Sequence, residues 1–246
     1  MPDSDLKHLI VTLPMTLPMT LTMAIQSLAT AIIFSVFLNA TSEAQTPPSE
    51  IEYCRYNPFF TAIYEGDVEY VNQFIQQGIK LEQVDNFGRT ALLIAAYQSN
   101  EDIFERLVKA GSNVNAFENF RYDAVTIAAV ANDIEMLQLS LKLGGNPKNI
   151  TSPYDGTALI AATHLGYAEV VKTLLAAGSD IDHINNLGWT ALLEAIILGD
   201  GSQDYVTVVK SLLEYGADIT IADQQGVTAL MHSQNRGYKE ITELLE

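Results

Sequence analysis

Cysteine and basic side chains are scarce in this chain of 246 residues. A single cysteine, Cys54, excludes an intramolecular disulfide, and no Cys/His spacing suits zinc. Thirteen Lys and Arg residues stand against thirty Asp and Glu residues, which gives a formal net charge of -17. A surface this acidic repels nucleic acid and anionic lipid headgroups. It favours a basic partner, or simply keeps the protein in solution.

Catalytic signatures are also missing. There is no phosphate loop, dinucleotide fingerprint or H-E-x-x-H spacing, and Ser202 lies in GDGSQD, which lacks the final glycine of G-x-S-x-G. The acidic segment 200–204 has two carboxylates and no calcium-loop pattern. His164 is expected in a turn, with a plain surface role. We therefore predict no enzyme activity, no catalytic residue, no cofactor and no metal site.

Charged side chains are absent from residue 9 to residue 42, and residues 24–40 are strongly apolar. Ser42 and Ala44 supply small residues at the two positions that a signal peptidase reads. This pattern predicts a secretory signal peptide over residues 1–44, cleaved after Ala44, and a periplasmic or secreted protein.

Two alternatives stay open for this N-terminal part. The positive charge before the apolar run is weak, and translation could start at Met19 or Met23. An uncleaved segment of about 20 apolar residues could instead anchor the protein in a membrane. Residues 45–56 are predicted as a linker.

The rest of the chain is built on a glycine period. Glycines that close short apolar runs follow one another at gaps of 33, 33, 34 and 38 residues. They are Gly78, Gly111, Gly144, Gly178 and Gly216. Each is expected to end a helix in the left-handed conformation, where a side chain is costly. A period near 33 predicts a stacked solenoid. The gap of 38 indicates a five-residue insertion, Asp200–Asp204, between two helices.

The clearest unit reads DGTALIAATHLGYAEVVKTLLAAG over residues 155–178. Related openings are GRTALLIAA at 88–96, GWTALLEA at 188–195 and GVTALM at 226–231. The chain resembles the ankyrin repeat family in these motifs. The resemblance implies an all-α solenoid of about six units over residues 57–246, each unit having two antiparallel helices and a β-turn finger.

The sequence departs from the family pattern in several places. Apolar or hydroxyl residues replace the family's histidine, so the fingers are expected to be held by packing. Arg121 occupies a finger position where glycine is expected, and Ser140 a position where leucine is expected. The loop 145–154 is irregular. We expect the stack to bend or loosen between the third and fourth units.

Proteins of this family usually bind partners on the concave face, formed by the finger tips and the first helix of each unit. Aromatic residues cluster at these tips, and such residues are enriched at interfaces. The residues predicted to contact a partner are Phe87, Arg89, Phe120, Tyr122, Tyr154, Trp189 and Glu194. As alternatives, Phe87, Phe120 and Leu187 would pack finger on finger, and Glu194 would lie on a solvated helix face.

The resemblance predicts a non-enzymatic protein–protein interaction module. It would be an exported monomer that binds a folded protein partner, one with a basic surface, through its concave face. One alternative is a membrane-anchored scaffold, if the N-terminal segment is retained. Another is an acidic inhibitor or immunity-type protein that neutralises a basic enzyme.

Overall fold

A computed structural model describes residues 57–246 of this chain. The predicted signal peptide, its alternatives, the linker and Cys54 lie outside these residues. Twelve α-helices occupy the described part, and isolated β-bridges are its only extended pairing. This all-α architecture confirms the predicted fold class.

The helices alternate between short first helices and longer second helices. The first helices are α1 (Pro58–Tyr64), α3 (Ala91–Tyr97), α5 (Ala124–Val130), α7 (Ala158–His164), α9 (Ala191–Ile197) and α11 (Ala229–Arg236). The second helices are α2 (Val68–Gln76), α4 (Glu101–Lys109), α6 (Ile134–Lys142), α8 (Ala168–Ala176), α10 (Gln203–Glu214) and α12 (Lys239–Leu245). Consecutive pairs form six units, as predicted.

Each first helix begins at a side chain that accepts a hydrogen bond from a backbone N–H of the first turn. Thr90, Asp123, Thr157, Thr190 and Thr228 each accept from the residue three positions later, and Asn57 accepts from Phe59. Such caps satisfy N–H groups that the helix leaves without partners. The 33-residue period therefore repeats the start of a helix as well as its end.

The helix ends agree with the glycine period. The five periodic glycines have φ between +76° and +107°, the left-handed region where only glycine is unstrained. After α2, for example, Gly78 N–H donates to Ile75 O and Ile79 N–H to Phe74 O, as in a Schellman motif. This confirms the predicted role of the glycines.

The core is a continuous row of apolar side chains. Each first helix packs against the first helices of the neighbouring units, and each second helix packs against its neighbouring second helices. All residues of α5 and of α9 are buried, whereas α10 buries one face. First helices are thus sandwiched between neighbours, and second helices form a more exposed side of the stack.

The gaps of 38 and 34 residues in the glycine period correspond to different structural features. Of the five inserted residues, Gln203 and Asp204 belong to α10, which has 12 residues where α8 has nine. The insertion therefore lengthens a helix as well as a loop. Tyr205, in the first turn of α10, donates its hydroxyl to His164 O at 2.7 Å and joins two units.

The extra residue of the 34-residue unit lies in a finger. In this hairpin Thr151 N–H donates to Gly156 O at 2.8 Å, so the bond encloses four residues. In the hairpin before helix α3, Asp85 N–H donates to Arg89 O, and the bond encloses three residues. This is a one-residue bulge in the hairpin. Helices α5 and α7 remain packed against each other. The irregularity between the third and fourth units is thus a bulge in the finger, and the expected bend or loosening of the stack stays a prediction.

Candidate partner-binding surface

Five hairpin turns, here called fingers 1 to 5, connect each second helix to the next first helix. They span residues 85–89, 118–122, 152–156, 185–189 and 223–227. In finger 1, the Asp85 Oδ1 atom accepts hydrogen bonds from Phe87 N–H at 2.6 Å and from Arg89 N–H at 2.9 Å. One carboxylate thereby fixes the whole turn.

The other fingers repeat this arrangement with different side chains. Asn185 Oδ1 accepts from Leu187 N–H and Trp189 N–H, both at 3.0 Å. Glu118, Ser152 and Asp223 make the same pair of bonds in fingers 2, 3 and 5. The expectation that packing alone holds the fingers is therefore wrong, because a side-chain acceptor satisfies two N–H groups in each turn.

These acceptors were missed in the sequence, although a signal for them exists. Each lies five residues before the capping residue of the next helix, as Asp85 lies before Thr90. The residue type changes among Asp, Glu, Ser and Asn, so a search for one amino acid does not find it. A search for any side-chain acceptor in register would have done so.

Neighbouring fingers are also joined to one another. Asn119 N–H donates to Phe87 O at 3.0 Å, which joins finger 2 to finger 1. Asn186 N–H donates to Tyr154 O at 2.9 Å, which joins finger 4 to finger 3. These bonds fix the aromatic residues Phe87 and Tyr154 relative to the next unit.

Fingers 2 and 3 are connected by a charged pair. Arg121 Nη1 lies 3.6 Å from Asp155 Oδ1, and Arg121 Nη2 donates to Ile150 O at 3.3 Å. Arg121 and Asp155 have φ of +66° and +52°, at the turn position that Gly88 and Gly188 occupy in fingers 1 and 4. A left-handed non-glycine residue costs about 1–2 kcal/mol. Two strained residues thus face each other across one joint.

The predicted partner-contact residues divide into two groups. Phe87 is exposed, and Phe120, Tyr154 and Trp189 are partly exposed at the finger tips. Arg89, Tyr122 and Glu194 are each only 4–5% exposed. The expected accessibility of these three residues is wrong.

Arg89 is buried because its charge is satisfied inside the protein. Its Nε lies 2.9 Å from Asp85 Oδ2, and both side chains are buried. The guanidinium also lies 4.4 Å from the centroid of the Phe87 ring and 5.6 Å from that of Tyr97. Arg89 therefore attaches finger 1 to helix α3 through an ion pair and cation–π contacts.

Tyr122 and Glu118 form a buried polar region beneath finger 2. Burial raises the pKa of the Tyr122 hydroxyl, and the nearby Glu118 carboxylate raises it further. Burial also raises the pKa of Glu118, against the opposing effect of its hydrogen bonds from Phe120 and Tyr122. Tyr122 therefore stays neutral, and its aromatic ring contributes to the core.

Glu194 is bonded within the protein rather than solvated. Its Oε1 atom lies 3.3 Å from His164 Nδ1, and its Oε2 atom accepts from Asn185 Nδ2 at 3.4 Å. His164 is the last residue of α7 and is buried, so the expected surface role in a turn is wrong. In the next unit His232 Nε2 lies 2.7 Å from Asp223 Oδ2. The first pair connects helices α7 and α9, and the second connects helix α11 to finger 5.

Residues 57–246 also bear on metal binding and membrane insertion. In that range no group of three or more His, Cys, Asp or Glu side chains is arranged to hold a metal ion. Over the same range, no helix combines the length and apolarity that a bilayer-spanning segment requires.

Comparisons with known proteins agree with this geometry. The family model for ankyrin repeats (3 copies) matches residues 22–118 and 125–223. The first match begins at residue 22, within the predicted signal peptide. The assignment of residues 1–44 as a signal peptide stays a prediction. A curated relative, the putative ankyrin repeat protein YahD of Escherichia coli (strain K12), is 41% identical over 54 residues. Those residues are 22% of this chain and 27% of the relative's length.

Two solved structures are similar over most of the chain. An ankyrin repeat domain from Acinetobacter baumannii AYE has a TM-score of 0.73 and 40% sequence identity to this chain. The match covers 76% of this chain and 95% of the Acinetobacter domain. The ankyrin repeat protein EF0377 has a TM-score of 0.71 and 33% identity, with the same coverage. The chain therefore belongs to the ankyrin repeat family.

Proposed function

We propose that this protein binds a folded protein partner through the exposed aromatic residues at its finger tips. Ankyrin repeats are generally protein–protein interaction modules, and the family is typically non-enzymatic. The observation that supports the proposal is the set of four accessible rings on consecutive fingers: Phe87, Phe120, Tyr154 and Trp189.

The fingers present these rings with little freedom. Side-chain acceptors fix each turn, and backbone hydrogen bonds join finger 1 to finger 2 and finger 3 to finger 4. A rigid surface loses little conformational entropy on binding, and aromatic residues bury large areas with few rotatable bonds. The concave face therefore favours docking without rearrangement.

The net charge of -17 favours a partner with a basic surface. The proposal includes export of the protein to the periplasm, with cleavage of residues 1–44 as a signal peptide. The same charge also suits an inhibitor or immunity-type protein that neutralises a basic enzyme. A membrane-anchored scaffold would require residues 1–44 to be retained.

Affinity capture of the mature protein from its native compartment identifies the partner, and titration then measures the affinity. The double variant Phe87→Ala with Trp189→Ala should weaken binding by about tenfold or more, because truncating each anchoring ring costs about 1–2 kcal/mol. Tyr215→Ala is the matched control, since this exposed tyrosine is the residue that follows α10 and belongs to no finger.

Unchanged affinity in the double variant would refute the finger-tip surface. Affinity for a basic partner should fall as salt rises, since exposed charges are screened.

Mass spectrometry of the native protein tests export separately. An N-terminus at or near Gln45 supports cleavage, and an intact residue 1–44 segment supports the anchored alternative.

A further inference from the structure

The residues directly before the described part repeat the sequence of a finger. Residues 51–57 read IEYCRYN, and residues 117–123, which contain finger 2, read FENFRYD. When the two segments are aligned at their capping residues, Asn57 and Asp123, they share Glu, Arg and Tyr at the same three positions. A finger pattern therefore lies within the predicted linker, in register with the cap of helix α1.

The shared glutamate is the residue that fixes finger 2. Glu118 Oε2 accepts from Phe120 N–H, and its Oε1 accepts from Tyr122 N–H, both at 2.9 Å. Each described finger has its acceptor five residues before the cap of the next helix, and Glu52 lies five residues before Asn57. A carboxylate at this position can hold the same turn by accepting two N–H groups.

The shared arginine and tyrosine also have defined roles in finger 2. Arg121 is its fourth residue and donates to Ile150 O, which leads into finger 3. Tyr122 is its fifth residue and is buried. Arg55 and Tyr56 occupy these fourth and fifth positions before helix α1. The segment thus has the side chains that finger 2 uses to reach the next unit and to enter the core.

Finger 1 lacks the neighbour that two later fingers have. Asn119 N–H and Asn186 N–H, each from the second residue of its finger, donate to the third residue of the preceding finger. Asn86 holds this second position in finger 1, and its N–H has no acceptor among the described residues. Phe87 is 38% exposed, more than the third residue of fingers 2, 3 or 4. One edge of finger 1 is therefore open.

A buried donor lies at the same edge. Gln83, two residues before finger 1, accepts through Oε1 from Asn57 Nδ2 at 3.0 Å, and its Nε2 is buried without a partner among the described residues. His183, two residues before finger 4, donates through Nε2 to Asp155 O, the fourth residue of finger 3, at 2.6 Å. The acceptor that matches Gln83 by position is Arg55 O. A buried donor without an acceptor is costly, so this bond would stabilise the protein.

Two observations favour residues 52–56 over a second copy of the chain as the occupant of this edge. The first match of the ankyrin family model, over residues 22–118, includes them. They also join Asn57 without a gap, and closing so short a connection costs far less entropy than association of two molecules.

We propose that residues 52–56 form a further finger, here called finger 0, that docks on the open edge of finger 1. The Cys54 carbonyl accepts from Asn86 N–H, and the Arg55 carbonyl accepts from Gln83 Nε2. Finger 0 thereby repeats the joints that connect finger 1 to finger 2 and finger 3 to finger 4.

Finger 0 extends the finger-tip surface by one unit. Its third residue, Cys54, takes the tip position that Phe87 holds in finger 1. Finger 0 follows Ala44, so it stays in the protein after the proposed cleavage. The larger partner-binding surface rests on the proposed function, whereas the docking of finger 0 does not.

Hydrogen–deuterium exchange of the full-length protein, read by mass spectrometry on fragments that contain residues 52–56, tests the docking. The amides of this segment should exchange at least about tenfold more slowly than those of a synthetic peptide of residues 50–57, because hydrogen bonds protect them. Glu52→Ala should abolish the protection, since it removes the acceptor of the turn. Glu50→Ala is the matched control, because this acid of the same segment lies outside finger 0.

Asn86→Pro tests the joint from the described side. It removes the N–H that finger 0 requires, and Pro153 at the second position of finger 3 shows that the turn accepts proline. The variant should speed exchange of residues 52–56 by about fivefold or more. Gln224→Pro, at the same position of finger 5, should leave that exchange unchanged. Circular dichroism checks that each variant is folded.

Several outcomes would overturn the docking of finger 0. They are free-peptide exchange rates in the wild type, equal effects of Glu50→Ala and Glu52→Ala, and exchange that Asn86→Pro does not alter. Protection that falls on dilution would also overturn it, because a second copy would then occupy the edge. None of these results affects the finger-tip proposal, whose own test is the affinity of the Phe87 and Trp189 double variant.

Discussion

Helices and fingers of this protein are stabilised by different forces. The first helices are held by apolar burial, and all seven residues of α9 are buried. Fingers are held by polar geometry, as in finger 4, where Asn185 accepts two backbone N–H groups and donates to Glu194. A fault in a helix should therefore loosen neighbouring units together, whereas a fault in a finger should stay local. Four substitutions test this contrast, from the largest expected effect to the smallest.

Leu174→Ala should lower the free energy of unfolding by about 2–5 kcal/mol, because it leaves a cavity at a fully buried site in α8. Urea denaturation followed by circular dichroism measures the change. Lys172→Ala on the same helix is the control and should stay within about 0.5 kcal/mol, since Lys172 is exposed. Equal effects of the two substitutions would mean that burial in α8 is not what stabilises the units.

Asn185→Ala should cost about 1–3 kcal/mol, because two finger N–H groups and the Glu194 carboxylate each lose a partner. Trp189 is the single tryptophan of the chain, so its fluorescence reports on finger 4. We expect the fluorescence transition to precede the loss of helical circular dichroism. Coincident transitions would contradict local opening. Asn185→Ser should restore part of the loss, since Ser152 holds finger 3 in the same way.

Glu118→Asn should reduce the pH dependence of stability. The folded-state pKa of Glu118 is raised by burial, so the folded protein keeps this proton to higher pH than the unfolded chain. The free energy of unfolding therefore falls as the pH rises from the ordinary carboxyl value through the raised one. The variant has no charge there, and Asn185 shows that asparagine can hold a finger. Urea titrations at several pH values check for the smaller slope, and an unchanged slope would exclude Glu118 as its source.

Arg121→Gly should change stability least. Glycine relieves left-handed strain of about 1–2 kcal/mol, and the substitution removes an exposed ion pair with Asp155 that contributes about 0–1 kcal/mol. We expect a net stabilisation of up to about 1 kcal/mol in urea denaturation. Gly188→Arg is the converse control in finger 4 and should destabilise, because Gly188 has φ of +82° and lies close to Gln224. Destabilisation by Arg121→Gly would show that the contacts of Arg121 with Asp155 and Ile150 together outweigh the strain.

The helical framework was predictable because local signals repeat. Thr157 and its equivalents cap helices, Gly178 and its equivalents end them, and Val170, Val171, Leu174 and Leu175 recur with helical spacing. These features depend on neighbours within one or two turns. The finger acceptors were less visible, because Asp, Glu, Ser and Asn perform one task and no single residue type recurs.

Accessibility in the candidate site was only partly predictable. Phe87 and Tyr122 are both aromatic residues of finger turns, yet Phe87 is exposed and Tyr122 is buried. Phe87 is the third residue of its finger, whereas Tyr122 is the last residue of its finger, where the equivalent Arg89 is also buried, and Tyr122 lies close to Tyr154 in the next finger. Such contacts between units depend on the angle at which fingers fold over first helices, which no local pattern encodes.

The sequence by itself determined the number of units, the helix starts and ends, and the family, because each depends on short-range capping, turn and periodicity rules. Only the tertiary structure decided which polar residues are buried. It paired Glu194 with His164 over 30 positions and left Phe87 exposed while it buried Tyr122. The physical reason is that burial and charge pairing are set by stacking between units, which brings together residues far apart in the chain.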